Sequence, residues 1–292
     1  MKILVTGGSG FVGTHLINRL AEEHETVNLD IRSPPQPNKA DTFIKCDITD
    51  YNSLKKTFES DLKDIDAIYH LAGLSRESES NKFPETYNRT NVNGTFNVID
   101  ASRFTSSKKF IFASTFLVYG EPVYLPIDEN HPKDPKSIYA STKLCGETIC
   151  NAHQEIYGVK TVKFRKSIIY GEDDLEKRIV SLFIDKAKSG KDLTVFGNKF
   201  LDFVYIEDVI SAYISALKKD VTGDFNIGTG EKVTLLDLAN MVRDIVNPGV
   251  KVVEDGLRTG EIKGYNPDIS KARKLLDFNP QQDLISFIKR CI

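Results

Sequence analysis

The chain has 292 residues with 39 Lys and Arg against 41 Asp and Glu, a formal net charge of −2, and it is 40% hydrophobic and 27% charged. At about 150 residues per domain this is globular composition for one large or two modest domains. A balance so close to zero excludes a broad nucleic-acid-binding or anionic-membrane surface, and no apolar run approaches the ~20 residues that cross a bilayer.

Apolar runs of strand length alternate with segments of helical periodicity through residues 1–165, the pattern of a parallel sheet wrapped by helices. The predicted strands are Lys2 to Thr6, Thr26 to Asp30, Thr42 to Cys46, Ala67 to His70, Lys109 to Ala113 and Lys160 to Phe164. The predicted helices between them are Phe11 to Glu22, Ser53 to Ser60, Pro84 to Arg103 and Ser137 to Tyr157. Pro34, Pro35 and Pro37 break the pattern and predict a surface loop. After Gly171 the rhythm loosens: a segment from Leu175 to Lys188, short strands at Leu193 to Phe196 and Asp202 to Ile206, a helix from Glu207 to Lys218, a further piece at Asp224 to Ile227, a helix from Leu235 to Val246, and one or two short helices after Asp268. The expected organisation is a dinucleotide-binding domain over 1–165 with returning segments near 200–228, and a smaller mixed α/β lobe over 166–292 that covers a substrate.

Cys46, Cys145, Cys150 and Cys291 show no CxxC spacing, and the five histidines form no HExxH pair, so neither structural disulfides nor a metal site is expected. Met1 to Thr6 lacks the organisation of a signal peptide, which points to a cytoplasmic protein.

Between the first strand and the first helix, Gly7, Gly10 and Gly13 in Gly7-Gly8-Ser9-Gly10-Phe11-Val12-Gly13 have the spacing of a phosphate turn. One glycine makes the tight turn, one lets backbone approach a pyrophosphate, and one permits helix–sheet packing, while the helix N–H groups face the anion. Asp30 ends the second strand 20 residues after Gly10, where a carboxylate accepts both ribose hydroxyls and repels a 2′-phosphate. This favours NAD over NADP, although the nearby Arg32 would welcome a phosphate. Asp47 is a candidate for the adenine amino group.

Tyr139-Ala140-Ser141-Thr142-Lys143 places a phenol and an ammonium four residues apart on one helix face. A tyrosine of pKa about 10 is a poor base at neutral pH, and a neighbouring Lys⁺ together with the positive nicotinamide ring of an oxidised cofactor is expected to lower it.

With these motifs the chain resembles the extended short-chain dehydrogenases/reductases, in the nucleotide-sugar epimerase/dehydratase branch, over nearly its whole length. Further marks are Asp47-Ile48, His70-Leu71-Ala72-Gly73, Asn91-Val92-Asn93-Gly94-Thr95, Ser114-Thr115 with Val118-Tyr119-Gly120, Tyr170-Gly171, Asp202 to Val209, Asn226-Ile227-Gly228 and Asp268 to Ala272. The resemblance implies a Rossmann-type doubly wound parallel sheet, NAD as cofactor and a nucleotide-sugar substrate. It assigns Thr115, with Ser114 as the alternative, to the substrate oxygen, Tyr139 to acid/base work and Lys143 to the nicotinamide ribose. It also implies a cofactor wall of Gly7, Gly10, Phe11, Val12, Gly13, Asp30, Ile31, Arg32, Asp47, Ile48, Leu71, Ala72, Gly73, Asn91, Tyr139 and Lys143. Arg258 matches a diphosphate arginine, so that Thr115, Tyr139 and Arg258 make up the implied substrate contacts.

Within this family, dehydratases and decarboxylases place an acid just after the threonine, where this chain has Phe116-Leu117. Fucose-synthase-like enzymes add a Cys and a His near the sugar, whereas Cys145 and Cys150 lie on the Tyr/Lys helix. A 4-epimerase needs neither addition, and a UDP-glucose 4-epimerase type is the expected activity. A simple NAD(P)-dependent reductase or dehydrogenase and a non-catalytic dinucleotide sensor are the alternatives. Two positions depart from the pattern: Ile168 stands where an asparagine contacts the sugar nucleotide, and Leu201 where a second diphosphate arginine is usual. Lys166 and Lys199 are the nearest substitutes, each read as a solvated surface lysine. In relatives, the helices at Pro84 to Arg103 and Ser137 to Tyr157 form a four-helix contact, which implies a homodimer.

Overall fold

A computed structural model describes residues 1–35, 37–174, 176–256 and 262–292. Its strands are β1 (Lys2–Thr6), β2 (Glu25–Asp30), β3 (Thr42–Lys45), β4 (Ala67–His70), β5 (Lys109–Thr115), β6 (Lys160–Lys166), β7 (Ile168–Tyr170), β8 (Leu193–Phe196), β9 (Phe200–Leu201), β10 (Phe203–Tyr205), β11 (Gly223–Ile227), β12 (Val233–Thr234) and β13 (Val252–Asp255). Seven of them form a parallel sheet in the order β3-β2-β1-β4-β5-β6-β11. Strand order reverses between β1 and β4, and such a reversal opens a crevice beyond the strands' carboxyl ends.

The helices are α1 (Phe11–Leu20), α2 (Tyr51–Ser60), α3 (Glu77–Ser80), α4 (Pro84–Tyr87), α5 (Gly94–Ala101), α6 (Ile138–Tyr157), α7 (Ile179–Lys188), α8 (Ile206–Lys218), α9 (Leu235–Val246), α10 (Ser270–Leu276) and α11 (Leu284–Arg290). Alternation along the central strands feeds two cores. Ile3 and Val5 pack with Leu16 and Ile17 of α1 and Tyr213 of α8, whereas Leu4 packs with Leu54, Phe58, Val98 and Cys150 of α2, α5 and α6. A strand covered on both faces needs apolar residues at successive positions, and Ile3, Leu4 and Val5 are all fully buried.

The expected helix from Pro84 to Arg103 is divided. Between α4 and α5, residues Asn88–Asn93 take a π-helical turn, and a 3-10 turn follows at Ser102–Phe104. The strand expected at Asp202 to Ile206 is shortened to β10, with Ile206 opening α8 and the short β9 lying just before Asp202. Asp202, between β9 and β10, turns its carboxylate onto the N–H groups of Thr229, Gly230 and Glu231. Outside the seven-stranded sheet the strands form short pairs, β7 with β10, β9 with β12, and β8 with β13. Within the segment from Leu175 to Lys188, α7 begins at Ile179, and Leu175 lies outside the described residues.

Candidate active site

The first loop is built by steric need. Gly7 has φ +72°, and a Cβ on it would sit 2.6 Å from the Ala72 nitrogen; one on Gly13 would sit 2.3 Å from the Gly7 carbonyl oxygen. Gly10 is different, since a Cβ there would meet only Gly7 O, at 3.3 Å. Packing within the protein therefore accounts for Gly7 and Gly13, while Gly10 keeps space open above the helix. Gly10 is also the N-cap of α1 and offers its amides no side-chain acceptor, in contrast to Asp50 on α2 and Ser137 on α6. Open space beside uncapped helix amides suits a pyrophosphate, and these residues fit a dinucleotide.

Asp30 closes the far side, accepting the Ser9 N–H at 3.1 Å with one oxygen and the Arg32 N–H at 3.2 Å with the other. Phe11 and Val12 are half-buried in the first turn of α1, and Ile31 and Arg32 are exposed beyond β2. Asp47 is exposed and accepts the Thr49 N–H at 2.8 Å. Ile48 is buried with its carbonyl held by Asn97 at 2.8 Å, and its side chain fills the space that a Cβ on Gly94 would take.

Leu71, Ala72 and Gly73 continue from β4, the Leu71 N–H bonding the Thr6 carbonyl at 3.0 Å. Beneath them His70, which sequence reasoning left without a role, is fully buried. Its Nδ1 lies 2.7 Å from Thr6 Oγ1 and its Nε2 3.0 Å from Thr95 Oγ1. The Thr95 hydroxyl spends its proton on the Asn91 carbonyl at 2.6 Å, so Nε2 must be the donor and Nδ1 the acceptor. Burial, then the charge of Lys143, holds the imidazole neutral down to about pH 3. Asn91, in the π turn, accepts the Leu74 N–H at 2.8 Å and donates to the Leu74 carbonyl and to Thr142 Oγ1, each at 3.0 Å. It thereby ties the loop after β4 to α6.

Ser137 caps α6, and the left-handed Gly158 ends it. Gly146 lets this helix approach β5, since a Cβ there would be 2.6 Å from the Phe112 ring. The approach lays the Lys143 ammonium 4.9 Å from the Phe112 centroid and about as close to Gly73, where a Cβ would lie 3.5 Å from Nζ. Burial lowers the Lys143 ammonium to about 8. Tyr139 lies one turn earlier, where the Thr115 side chain acts on its phenol.

Burial drives the Tyr139 phenol up, to about 12, and the largest groups pulling it back are the Thr115 side chain and the Arg178 charge. Two expectations are corrected. Ser114 is no alternative to Thr115: its hydroxyl points to the opposite face of β5 and donates to Glu147 at 2.6 Å. Glu147 is there the bidentate partner of Arg165, through Nε at 3.0 Å and Nη2 at 2.8 Å, in a fully buried pair. Lys166 is not a solvated surface lysine. It is half-buried, sits in register with Thr115, and brings Nζ to 3.4 Å from the buried Tyr213 hydroxyl.

Arg178 was also missed. Its guanidinium stands 5.2 Å from the Phe11 ring centroid and is paired with Asp174 and Glu176. It precedes α7 in a stretch without motif, and only the folding of this segment over α1 brings it to the cleft. Arg258 and the rest of 257–261 lie outside the described residues. Among the described residues no group of three His, Cys, Asp or Glu side chains converges as a metal site would require.

The model of the NAD dependent epimerase/dehydratase family matches residues 3–228. A UDP-glucose 4-epimerase of Lacticaseibacillus casei is 30% identical over 314 residues, covering 99% of this chain and 94% of that protein. The crystal structure of a UDP-glucose 4-epimerase from Thermotoga maritima with UDP-glucose superposes with a TM-score of 0.92 at 29% identity, over 99% of this chain and 96% of that one. A UDP-glucuronic acid 4-epimerase from Bacillus cereus, in complex with UDP-glucuronic acid and NAD, gives 0.88 at 31% identity, over 99% and 97%. A dinucleotide cradle at the reversal of strand order, Thr115 beside Tyr139 with Lys143 one turn on, and likeness over the whole chain together place this protein in the NAD-dependent epimerase/dehydratase family.

Proposed function

We propose that the protein is a nucleoside-diphosphate-sugar 4-epimerase working through a transient 4-keto sugar, with UDP-glucose and UDP-galactose as the starting assignment. The observation that carries this reading is a site with one acid/base group and no second. Phe116, directly after Thr115, is buried with its ring centroid 4.9 Å from Tyr119 and 4.5 Å from Tyr265, and Leu117 follows. Neither side chain moves a proton, which a dehydratase requires at this place. The UDP-glucose 4-epimerases among the relatives support the same choice.

When bound, NAD supplies a hydride acceptor and later returns the hydride to the other face of the sugar. The side chains do the rest. Thr115 holds the 4-oxygen, and Tyr139 takes the hydroxyl proton as the carbinol becomes a ketone and gives it back as the ketone is reduced. Thr115, Arg178 and the positive nicotinamide act together to draw the phenol down from about 12. Lys143, over Phe112 and next to Gly73, bonds the nicotinamide ribose. Gly7, Gly10 and Gly13 cradle the pyrophosphate, Asp30 takes the adenosine ribose, and Arg258 takes the substrate diphosphate.

The test is Tyr139→Phe. Turnover is expected to fall by about 10²-fold or more with NAD still bound, and the wild type should interconvert UDP-sugars with no accumulation of NADH. Unchanged turnover in the variant, or stoichiometric NADH, overturns the reading. We further propose a cytoplasmic homodimer. All four cysteines are free, and Val92, Leu144 and Ile149 line a shallow apolar surface on the outer side of α6 and the π turn. Light scattering that finds a monomer at micromolar concentration counts against the dimer.

A further inference from the structure

Lys166 lies where the 4-epimerase reading leaves no work for a cation. In the parallel pairing of β5 with β6 it is the partner of Thr115, so the two side chains leave the same face of the sheet at its carboxyl end. The preceding residue, Arg165, points the other way and is consumed by Glu147 and Asp224. Among the described residues no carboxylate pairs with Lys166; its polar neighbour is the Tyr213 hydroxyl at 3.4 Å, with the Tyr213 ring centroid 5.9 Å from Nζ. Two further cations, Lys143 and Arg178, act on it, and with burial as the larger cause they lower its ammonium to about 7. Arg178 has Asp174 and Glu176 as counterions, whereas among the described residues Lys166 has none. A half-buried cation among cations is costly unless an anion joins it.

Resting on the 4-epimerase reading, the geometry of the sugar says which anion this is. The reacting C4 must lie at Thr115 and Tyr139. Its ring neighbours are C3 and C5, and C5 carries C6; the diphosphate leaves from C1, across the ring. A cation beside Thr115 is therefore within reach of a C6 substituent and turned away from the diphosphate. We propose that Lys166 is a substrate-binding residue that pairs with a carboxylate at C6, so that the preferred substrate is a nucleoside-diphosphate hexuronate rather than a neutral hexose. The same pairing gives Lys166 the counterion that none of the described residues provides.

The experiment titrates the NAD-loaded wild type, Lys166→Gln and Lys166→Arg with UDP-glucuronate, UDP-glucose and UDP, and follows interconversion of both sugars by chromatography, with thermal melts to establish that the variants fold. UDP-glucuronate is expected to bind the wild type about tenfold or more tighter than UDP-glucose. Lys166→Gln should erase that preference without changing UDP binding, and Lys166→Arg should keep most of it. Equal binding of the two sugars by the wild type, or an equal loss for UDP, UDP-glucose and UDP-glucuronate in Lys166→Gln, overturns the carboxylate assignment; the latter result would make Lys166 a diphosphate ligand. In either case continued interconversion of UDP-glucose leaves the 4-epimerase reading intact. Failure of the wild type to interconvert either sugar overturns that reading, and the assignment built on it falls as well.

Discussion

The buried imidazole of His70 makes acid stability a direct measure of the site's foundations. Burial and the Lys143 charge hold its folded-state pKa at about 3, against about 6.5 in an unfolded chain. The group is thus depressed on folding: below pH 6.5 the unfolded chain takes up a proton that the native state refuses. Its stabilising contribution is complete above pH 6.5 and is lost as pH falls towards 3. At ~1.4 kcal/mol per pH unit the loss at pH 4 is about 3 kcal/mol, a large part of the margin of an ordinary domain. Carboxylates and other histidines titrate over the same range, so the contribution is isolated by difference. Urea unfolding of the wild type and of His70→Gln at pH 7 and pH 4 yields two stability gaps, and the wild type's advantage should shrink by about 3 kcal/mol between them. A gap that stays constant to within about 0.5 kcal/mol would mean that His70 is protonated freely in the native state, and the neutral relay from Thr6 through His70 to Thr95 would be wrong.

The glycines of the phosphate turn separate by function. Gly10→Ala meets only one backbone oxygen at 3.3 Å and should change stability by less than about 0.5 kcal/mol while weakening NAD binding tenfold or more in calorimetry; Gly13→Ala, 2.3 Å from Gly7 O, should lose about 1–3 kcal/mol of stability in urea unfolding. Equal destabilisation by both would remove the argument for an open cradle at Gly10. Ser114→Ala takes a hydroxyl donor from a buried carboxylate and should cost about 1–2 kcal/mol of stability with kcat unchanged. Thr115→Ala should instead lower kcat by about 10²-fold with stability nearly intact, and a reversal of the two results would return Ser114 to the active site.

Most of the dinucleotide half was legible because its signals are local. Apolar runs such as Ile3 to Val5 are long enough to be buried on both faces, and glycine spacing reports contacts within one turn. Features that failed to show depend on partners distant in sequence. The exposed β13 carries no alternation of its own and exists because β8 pairs with it. Arg178 reaches the cleft only because its segment folds over Phe11. The burial of the Tyr139 phenol and the Lys143 ammonium was invisible for a related reason: a four-residue spacing places them on one helix face but says nothing of how deeply each is buried.

One rule of strand geometry, however, settles two of the ambiguous choices together. Side chains alternate across a strand, and in-register partners on neighbouring parallel strands share a face. Phe112 and Ser114 on β5 face α6, as shown by the contact that a Cβ on Gly146 would make with the Phe112 ring and by the bond from Ser114 to Glu147. Thr115 must then leave the other face of β5, at the strand's carboxyl end, where Tyr139 of α6 still reaches it. In the β5–β6 register Ser114 stands opposite Arg165 and Thr115 opposite Lys166. Arg165 therefore turns in to Glu147 on the α6 side, and Lys166 emerges with Thr115 on the side of Tyr213. Taking Thr115 rather than Ser114 as the substrate-facing residue and taking Lys166 rather than Arg165 as the cleft cation are thus a single inference. Whatever binds the Thr115 hydroxyl has the Lys166 ammonium beside it.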